Sequence, residues 1–526
     1  MPPVVDPSPA VGQPHTLLNR VQVSIGETVA ALIFLAAVAI AARAQTFANP
    51  VIGFDEQFYL LVGDRMWQGM VPFVDIFDRK PIGLFLIYAA ARLLGGDRFV
   101  QYKLVALVAV VASAFLIHRL ARRSSGRFGA LAAATGYVLW LDFMEGEGGQ
   151  APVFYNLPML AAVAVLVGVL ERPERRRRAG AAAMLLVGVA MQIKYSTVIE
   201  GIYFGCVLVW LAWRRGDRGA RLAASTTLWI AAALVPTAAA FAVYAAIGRA
   251  DAFVFANFVS LFGQGRSAAA ANLAGLAAIV GILAPLLLFL VLGWRGRMRG
   301  RSATPTTGFV AGWLLAATLA LLAYWRFPSP HYAMPLLPPL CILLAPVLGA
   351  TRRRRVLTTI FGIVAFVGGQ IVLHVTERGK GGAAAARAVA AAAGSGDDGC
   401  IYVYDGYPAL YMLTRSCLPS RWVFPGHLNM ADEANQAALG VAPTAEIRRI
   451  LARHPRAIVD DFPRFELGNV ATHAILQAAL DRNYVLAACV PTGATRVRLV
   501  YRQGHGGGDN LPATCPAAAA LRRGRP

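Results

Sequence analysis

Asp55 and Glu56 are adjacent carboxylates that follow the first long apolar run of the chain. They open a stretch, residues 54–86, that gathers five carboxylates, two arginines and a lysine. A carboxylate within hydrogen-bond reach of a hydroxyl can take its proton and activate a poor nucleophile. A cation beside it can hold a phosphate or steady the charge on a leaving group. The stretch supplies both, since Asp75, Asp78, Arg79 and Lys80 come just before Pro81, which opens another apolar run. It reads as the catalytic loop of a membrane-embedded enzyme. The same residues also have ordinary uses. Asp55 is placed to cap a helix over residues 56–68, whose amphipathic pattern suits a membrane surface. Arg79 and Lys80 can snorkel from the end of a span.

Composition sets what must position these groups. The chain has 526 residues, 57% of them hydrophobic and 15% charged, with a mean hydropathy of +0.54. The apolar residues fall into runs close to the ~20 residues that cross a bilayer. Eleven spans are expected, at 28–42, 99–120, 129–140, 152–170, 179–195, 199–213, 222–247, 271–292, 309–325, 334–350 and 356–375. The first ends in Ala-Arg-Ala, like a signal-peptide cleavage site, but it opens a series of spans and reads as a retained helix. A net charge of +22 raises nucleic acid as a partner. The placement of the arginines excludes it. They cluster at 119–123, 172–178, 214–218, 295–301 and 352–355, at alternate span ends. The positive-inside rule makes that side cytoplasmic and gives an N-in, C-out topology. The loop at 48–98 then faces the other side, together with Lys194 and the segment from Arg326 to Tyr332.

Three regions follow: a disordered cytoplasmic tail at 1–26, a transmembrane catalytic unit at 27–375, and a periplasmic unit at 376–526. After an Ala-Gly linker at 379–396, strand-like runs at 400–404, 457–459, 484–490 and 496–501 alternate with helical patterns such as 446–453. This predicts a small α/β domain with a disordered end from Gly504. Its cysteines, Cys400, Cys417, Cys489 and Cys515, permit up to two disulfides in an oxidising compartment, with the pairing open. No spacing matches a metal site, and no glycine motif for a nucleotide is present.

The order of these groups resembles the GT-C glycosyltransferases, in particular the bacterial protein-O-mannosyltransferase-like group that includes lipid A aminoarabinose transferases. The resemblance rests on Asp55-Glu56, Tyr59, the Gly-x-x-Pro-aromatic-x-Asp step from Gly69 to Asp75, Lys80-Pro81, Lys194-Tyr195, and Arg326 followed by His331-Tyr332 and Pro335. Two departures stand out. The usual Lys-Pro-Pro is Lys-Pro-Ile here. An acid expected near an aromatic in the second external loop is missing from 149–154, with Glu145 and Glu147 the nearest substitutes. The resemblance implies a polyprenyl-phosphate-linked sugar as donor, no cofactor, and a glycan, lipid or protein acceptor on the periplasmic side of a bacterial inner membrane. Asp55 would be the base and Glu56 its positioner or substitute. Lys80, Arg326 and Lys194 would meet the phosphate, and Tyr59, Asp75, Asp78, His331 and Tyr332 would line the substrate site. A single displacement would invert the anomeric carbon. The competing reading is a transporter or flippase of lipid-linked sugars. It calls for ionisable groups at mid-membrane and for internal repeats, whereas these spans are nearly free of charge and no repeat is apparent.

Overall fold

The computed structural model describes residues 14–265, 269–297, 304–325, 327, 329–396, 399–504 and 515–523. Its membrane part is a bundle of helices: α1 Pro14–Arg43, α4 Arg98–Ala121, α5 Arg127–Leu141, α6 Ala151–Glu171, α7 Arg176–Met191, α8 Val198–Arg214, α9 Gly219–Ala246, α12 Ala269–Arg297, α13 Pro305–Tyr324, α14 Leu337–Leu348 and α15 Arg352–Lys380. Between α1 and α4 lie two helices of the loop, α2 Phe54–Met66 and α3 Ile82–Ala91. Between α9 and α12 lie α10 Ala250–Val254, a π-helical turn at Phe255–Val259, and α11 Ser260–Gly263. Each expected span is met by a helix. Among the described residues, nine helices are long and apolar enough to cross a membrane. The predicted spans 129–140 and 179–195 are the exceptions: α5 and α7 have 15 and 16 residues. At 1.5 Å per residue they measure roughly 22–24 Å, short of a ~30 Å hydrocarbon core.

Three boundaries differ from expectation. Residues 14–26, placed in the disordered tail, continue α1, because Pro14 starts a run rich in Leu, Val and Ile; residues 1–13 lie outside the described residues. The expected edge at 375/376 falls inside α15, and the linker is helical over Ala383–Ala393 (α16). Alanine has the highest helix propensity, and glycine at 381 and 394 sets the ends. Cys515 and the helix Pro516–Arg523 extend the order beyond Gly504, since Cys515 pairs with Cys489 and ties this end to the sheet. The other disulfide joins Cys400 to Cys417.

The C-terminal unit is built on a four-stranded sheet of order β1-β2-β4-β3, with β1 Ile401–Val403, β2 Ala457–Phe462, β3 Tyr484–Pro491 and β4 Val497–Gln503. β1 runs parallel to β2, while β4 pairs antiparallel with both β2 and β3. All four expected strands are present within a few residues.

This unit sits against the loop helices. Phe424 packs on Phe54 and Phe58 of α2, with centroids 5.2 and 5.0 Å apart. Arg65 donates to the carbonyl of Ser416 at 2.6 Å, and Phe77 N donates to that of Arg421 at 2.9 Å. Most of α2 is therefore buried, from Glu56 to Arg65, and does not lie along a membrane surface. The covering unit lies more than 350 residues away in sequence, so the amphipathic pattern found its apolar partner in protein and not in lipid.

Candidate active site

Gly53, not Asp55, is the N-cap of α2, and no side chain caps it. Asp55 stands in the first turn of the helix with its carboxylate facing a cavity. Gln150 Nε2 donates to Asp55 Oδ2 at 3.1 Å, and Tyr59 Oη, one turn further along the helix, reaches the same oxygen at 3.4 Å. Gln150 occupies the segment where an acid was sought. The position carries an amide that orients Asp55, and a neutral side chain gave no charge signal by which to find it. Burial pushes the Asp55 carboxyl up, but the charges of Lys80 and His331, the Gln150 bond and the charge of Lys194 outweigh it and hold the group below the usual carboxylate range.

The two adjacent carboxylates part company. Glu56 is fully buried and packs against Gly53 and Gly148. A Cβ at Gly148 would stand 2.1 Å from Glu56 Oε2, so only glycine admits this approach. Burial raises the Glu56 carboxyl, with Gly149, Lys103 and Tyr102 opposing. Glu56 also lines the cavity, but its surroundings favour a proton more than those of Asp55.

The cation side comes from the turn before α3. Gly69, at φ +84°, and Phe73, at φ +68°, reverse the chain there, and Asp75 Oδ2 accepts from Val71 N at 2.7 Å. Asp75 is thus committed to its own turn, exposed and away from the cavity, contrary to expectation. Asp78 is buried and accepts from the backbone N of Lys80 at 3.2 Å, and both side chains line the cavity. Lys80 Nζ lies 5.6 Å from the Tyr59 ring centroid. Burial lowers the Lys80 ammonium, but Asp78 and Asp55 more than compensate, so it stays charged.

Arg79 does not snorkel. Its Nε donates to Ser260 Oγ at 2.7 Å and its guanidinium pairs with Glu433 of the C-terminal unit. Gln264 also donates to Glu433, at 2.7 Å. This clamp fixes the backbone that carries Lys80 between the helical bundle and the sheet unit. Glu433→Gln is expected to cost about 1–3 kcal/mol of stability, the range for leaving a buried hydrogen-bonding group short of one partner, since Arg79 keeps Ser260 and the Ala438 carbonyl. Chemical unfolding of the purified protein would show it, and an unchanged midpoint would reduce the clamp to a passive contact.

Across the cavity, Lys194 Nζ lies 4.3 Å from the Tyr332 ring and 5.7 Å from that of Tyr324, within cation–π range. His331 stacks on Tyr332 with centroids 4.4 Å apart, and its Nδ1 meets Glu145 Oε2 at 2.9 Å. Burial raises the Glu145 carboxyl, but the His331 bond and charge bring it below its usual value. Glu147 goes the other way: burial pushes it up to about 8. The two possible substitutes for the missing acid therefore differ in charge at neutral pH. Arg326 lies outside the described residues.

Asp55, Glu56, Tyr59, Asp78, Lys80, Lys194, His331 and Tyr332 line one cavity of about 1170 Å³. Its far wall comes from the sheet unit and escaped the sequence reading. There, Arg498 on β4 pairs with Asp461 on β2 at 3.0 Å, beside Asp405 and Tyr407. These residues are brought together by the β2–β4 register, in which Asp461 opposes Arg498, and no local pattern marks them.

The arrangement sets the Asp55 carboxylate, the Lys80 ammonium and Lys194, which burial and the charge of Lys80 bring down to about 7, around one space. The fold is that of the GT-C glycosyltransferases. It resembles the crystal structure of ArnT from Cupriavidus metallidurans bound to undecaprenyl phosphate, with a TM-score of 0.63 and 16% identity over 89% of this chain and 97% of that one. The apo oligosaccharyltransferase of Archaeoglobus fulgidus is also similar, at a TM-score of 0.48 and 9% identity over 82% of this chain and 69% of that chain. Residues 78–244 match the family model described as dolichyl-phosphate-mannose-protein mannosyltransferase. No curated protein sequence matches the chain. The fold is thus that of a multi-pass membrane protein of the GT-C kind, and the match over residues 78–244 supports a glycosyltransferase.

Proposed function

We propose that the chain transfers a sugar from a polyprenyl-phosphate-linked donor to an acceptor hydroxyl at the face opposite its arginine-rich loops. By the positive-inside rule this is the periplasmic face of a bacterial inner membrane. The observation that supports it most is the single cavity in which Asp55, held by Gln150 and Tyr59, faces Lys80 and Lys194. That ArnT was crystallised with undecaprenyl phosphate agrees with such a lipid as donor carrier.

In this reading Asp55 takes the proton of the acceptor hydroxyl as its oxygen bonds to the anomeric carbon. The bond from that carbon to the phosphate oxygen breaks, and its electron pair leaves with the phosphate. Lys80 and Lys194 steady the charge that develops there, so the leaving group needs no proton. Attack and departure on opposite sides of the carbon invert it. The sheet unit, through Arg498, Asp461 and Asp405, offers charged and polar groups to the acceptor side of the cavity. Lipid A or core sugar, a polysaccharide, a protein or another lipid all carry a suitable hydroxyl.

Purified protein in lipid nanodiscs, given polyprenyl-phosphate-linked sugars and envelope glycolipids, is expected to release polyprenyl phosphate. An acceptor should gain one sugar mass with inverted anomeric configuration. Transfer from a nucleotide sugar alone, or a retained configuration, would reject the scheme.

A further inference from the structure

A second cavity, of about 630 Å³, opens on the other end of α2 and shares no lining residue with the first. Four arginines line it. Arg65 comes from the last turn of α2, Arg92 from the end of α3, Arg98 from the start of α4, and Arg415 from the sheet unit. Asp64 is the one carboxylate among them, and it meets Arg92 Nε at 2.9 Å and Arg98 Nη1 at 3.5 Å. Arg65 is spent on Gln68 and the Ser416 carbonyl, both at 2.6 Å. The Arg415 side chain is exposed and makes no hydrogen bond or ion pair among the described residues. Positive charge is left over.

That excess stands where two rules oppose it. Arg98 begins a membrane span whose other end carries Arg119, Arg122 and Arg123, so the group is on the side that the positive-inside rule leaves poor in arginine. Arg98 also stands at a helix N-terminus, where the dipole disfavours a cation. Positions that break local rules in concert are where function is to be sought. The rim adds the second half of the argument. Trp67 is 60% exposed and Leu93 72% exposed, and both line the cleft. Leu94 and Leu86 are exposed beside them at 58% and 52%. A tryptophan with leucines at the end of a span belongs at the headgroup level of a bilayer.

We propose that this cleft binds the phosphate headgroup of an anionic membrane phospholipid, in the leaflet on the side of the candidate active site. The guanidinium forks of Arg98 and Arg415 meet the phosphate oxygens, Arg92 remains with Asp64, and Trp67, Leu93 and Leu94 lie along the glycerol and the start of the acyl chains. A choline headgroup brings its own cation into the arginine cluster and is disfavoured. Because the cleft joins α2 to the sheet unit, a bound lipid also braces the cover of the active site from the membrane side.

The test is native mass spectrometry of the full chain titrated with phosphatidylglycerol and with phosphatidylcholine. Arg98→Gln/Arg415→Gln is compared with the unaltered protein; both side chains are at the surface, and Asp64 keeps Arg92. The expected result is preferential retention of phosphatidylglycerol by the unaltered protein. The double variant should bind it about 10- to 30-fold more weakly, from about fivefold per arginine at an anionic surface. Equal retention of the two lipids would overturn the proposal, as would phosphatidylglycerol binding indifferent to the double substitution. Displacement of the lipid by millimolar inorganic phosphate would assign the cleft to a soluble anion instead and overturn it too.

Discussion

Asp55→Asn is expected to lower the turnover number by about 10²–10⁴-fold, the usual contribution of a positioned general base, while donor binding stays intact or tightens. Asparagine has the shape of aspartate and can still meet Gln150 and Tyr59, the two partners of the Asp55 carboxylate, but it cannot accept a proton. It also removes a negative charge beside the lysines that would meet the donor phosphate. By Coulomb's law that change attracts the phosphate and does not repel it. The split between the two measurements carries the argument. Lost turnover with equal or better binding of a polyprenyl phosphate fits a base. Loss of both in proportion would make Asp55 a structural prop, and unchanged turnover would remove it from the chemistry. Glu56→Gln serves as the comparison. Glu56 packs between Gly53 and Gly148 and does not share the oxygen partners of Asp55, so its effect on turnover should be the smaller.

Much of this site could be read from sequence because charge is scarce in the chain. In a sequence 57% hydrophobic, a carboxylate or lysine outside the arginine runs stands out, as Asp55, Lys80 and Lys194 do, whereas His331 is marked only by the resemblance of its His-Tyr segment. Residue order alone does not carry the direction a side chain takes. Asp75 and Asp78 are three residues apart and of one type. A turn set by Gly69 and Phe73 spends the first on the backbone of Val71 and leaves the second in the cavity. Asp55 and Glu56 are neighbours, yet one is held ionised by surrounding cations and the other is enclosed by glycines. Gln150 orients Asp55 with an uncharged amide, which carries no charge signal in the sequence. The sheet-unit wall was invisible for a different reason. Arg498 and Asp461 acquire their meaning from strand pairing across residues 457–503, and such long-range contacts leave no periodic trace. The linker is helical because its glycines flank residues 383–393, which are nearly all alanine, the strongest helix former.

Lys80→Gln is the second large effect, and it separates two jobs that one ammonium performs. As phosphate anchor, its loss should reduce kcat/KM about 10²–10³-fold, the range for removing one preorganised electrostatic stabiliser. As a neighbour of Asp55, it does something further. The positive charge of Lys80 is the largest of the influences that pull the Asp55 carboxyl down against burial. Without it the protonated form gains, the pKa of Asp55 rises, and the acid limb of the pH–rate profile moves toward neutrality. At a mildly acidic pH the variant should thus lose more activity than at pH 8. Lys80→Arg keeps the charge and should leave the acid limb in place, while the wider, planar guanidinium restores phosphate contact only in part. A Lys80→Gln profile with a lowered plateau and an unmoved acid limb would confine Lys80 to binding. The same electrostatics bear on the unaltered enzyme. An arriving phosphate partly cancels Lys80 and Lys194, so the proton affinity of Asp55 rises when the donor is in place. A carboxylate too weak a base in the empty site is strengthened by the substrate whose transfer it assists.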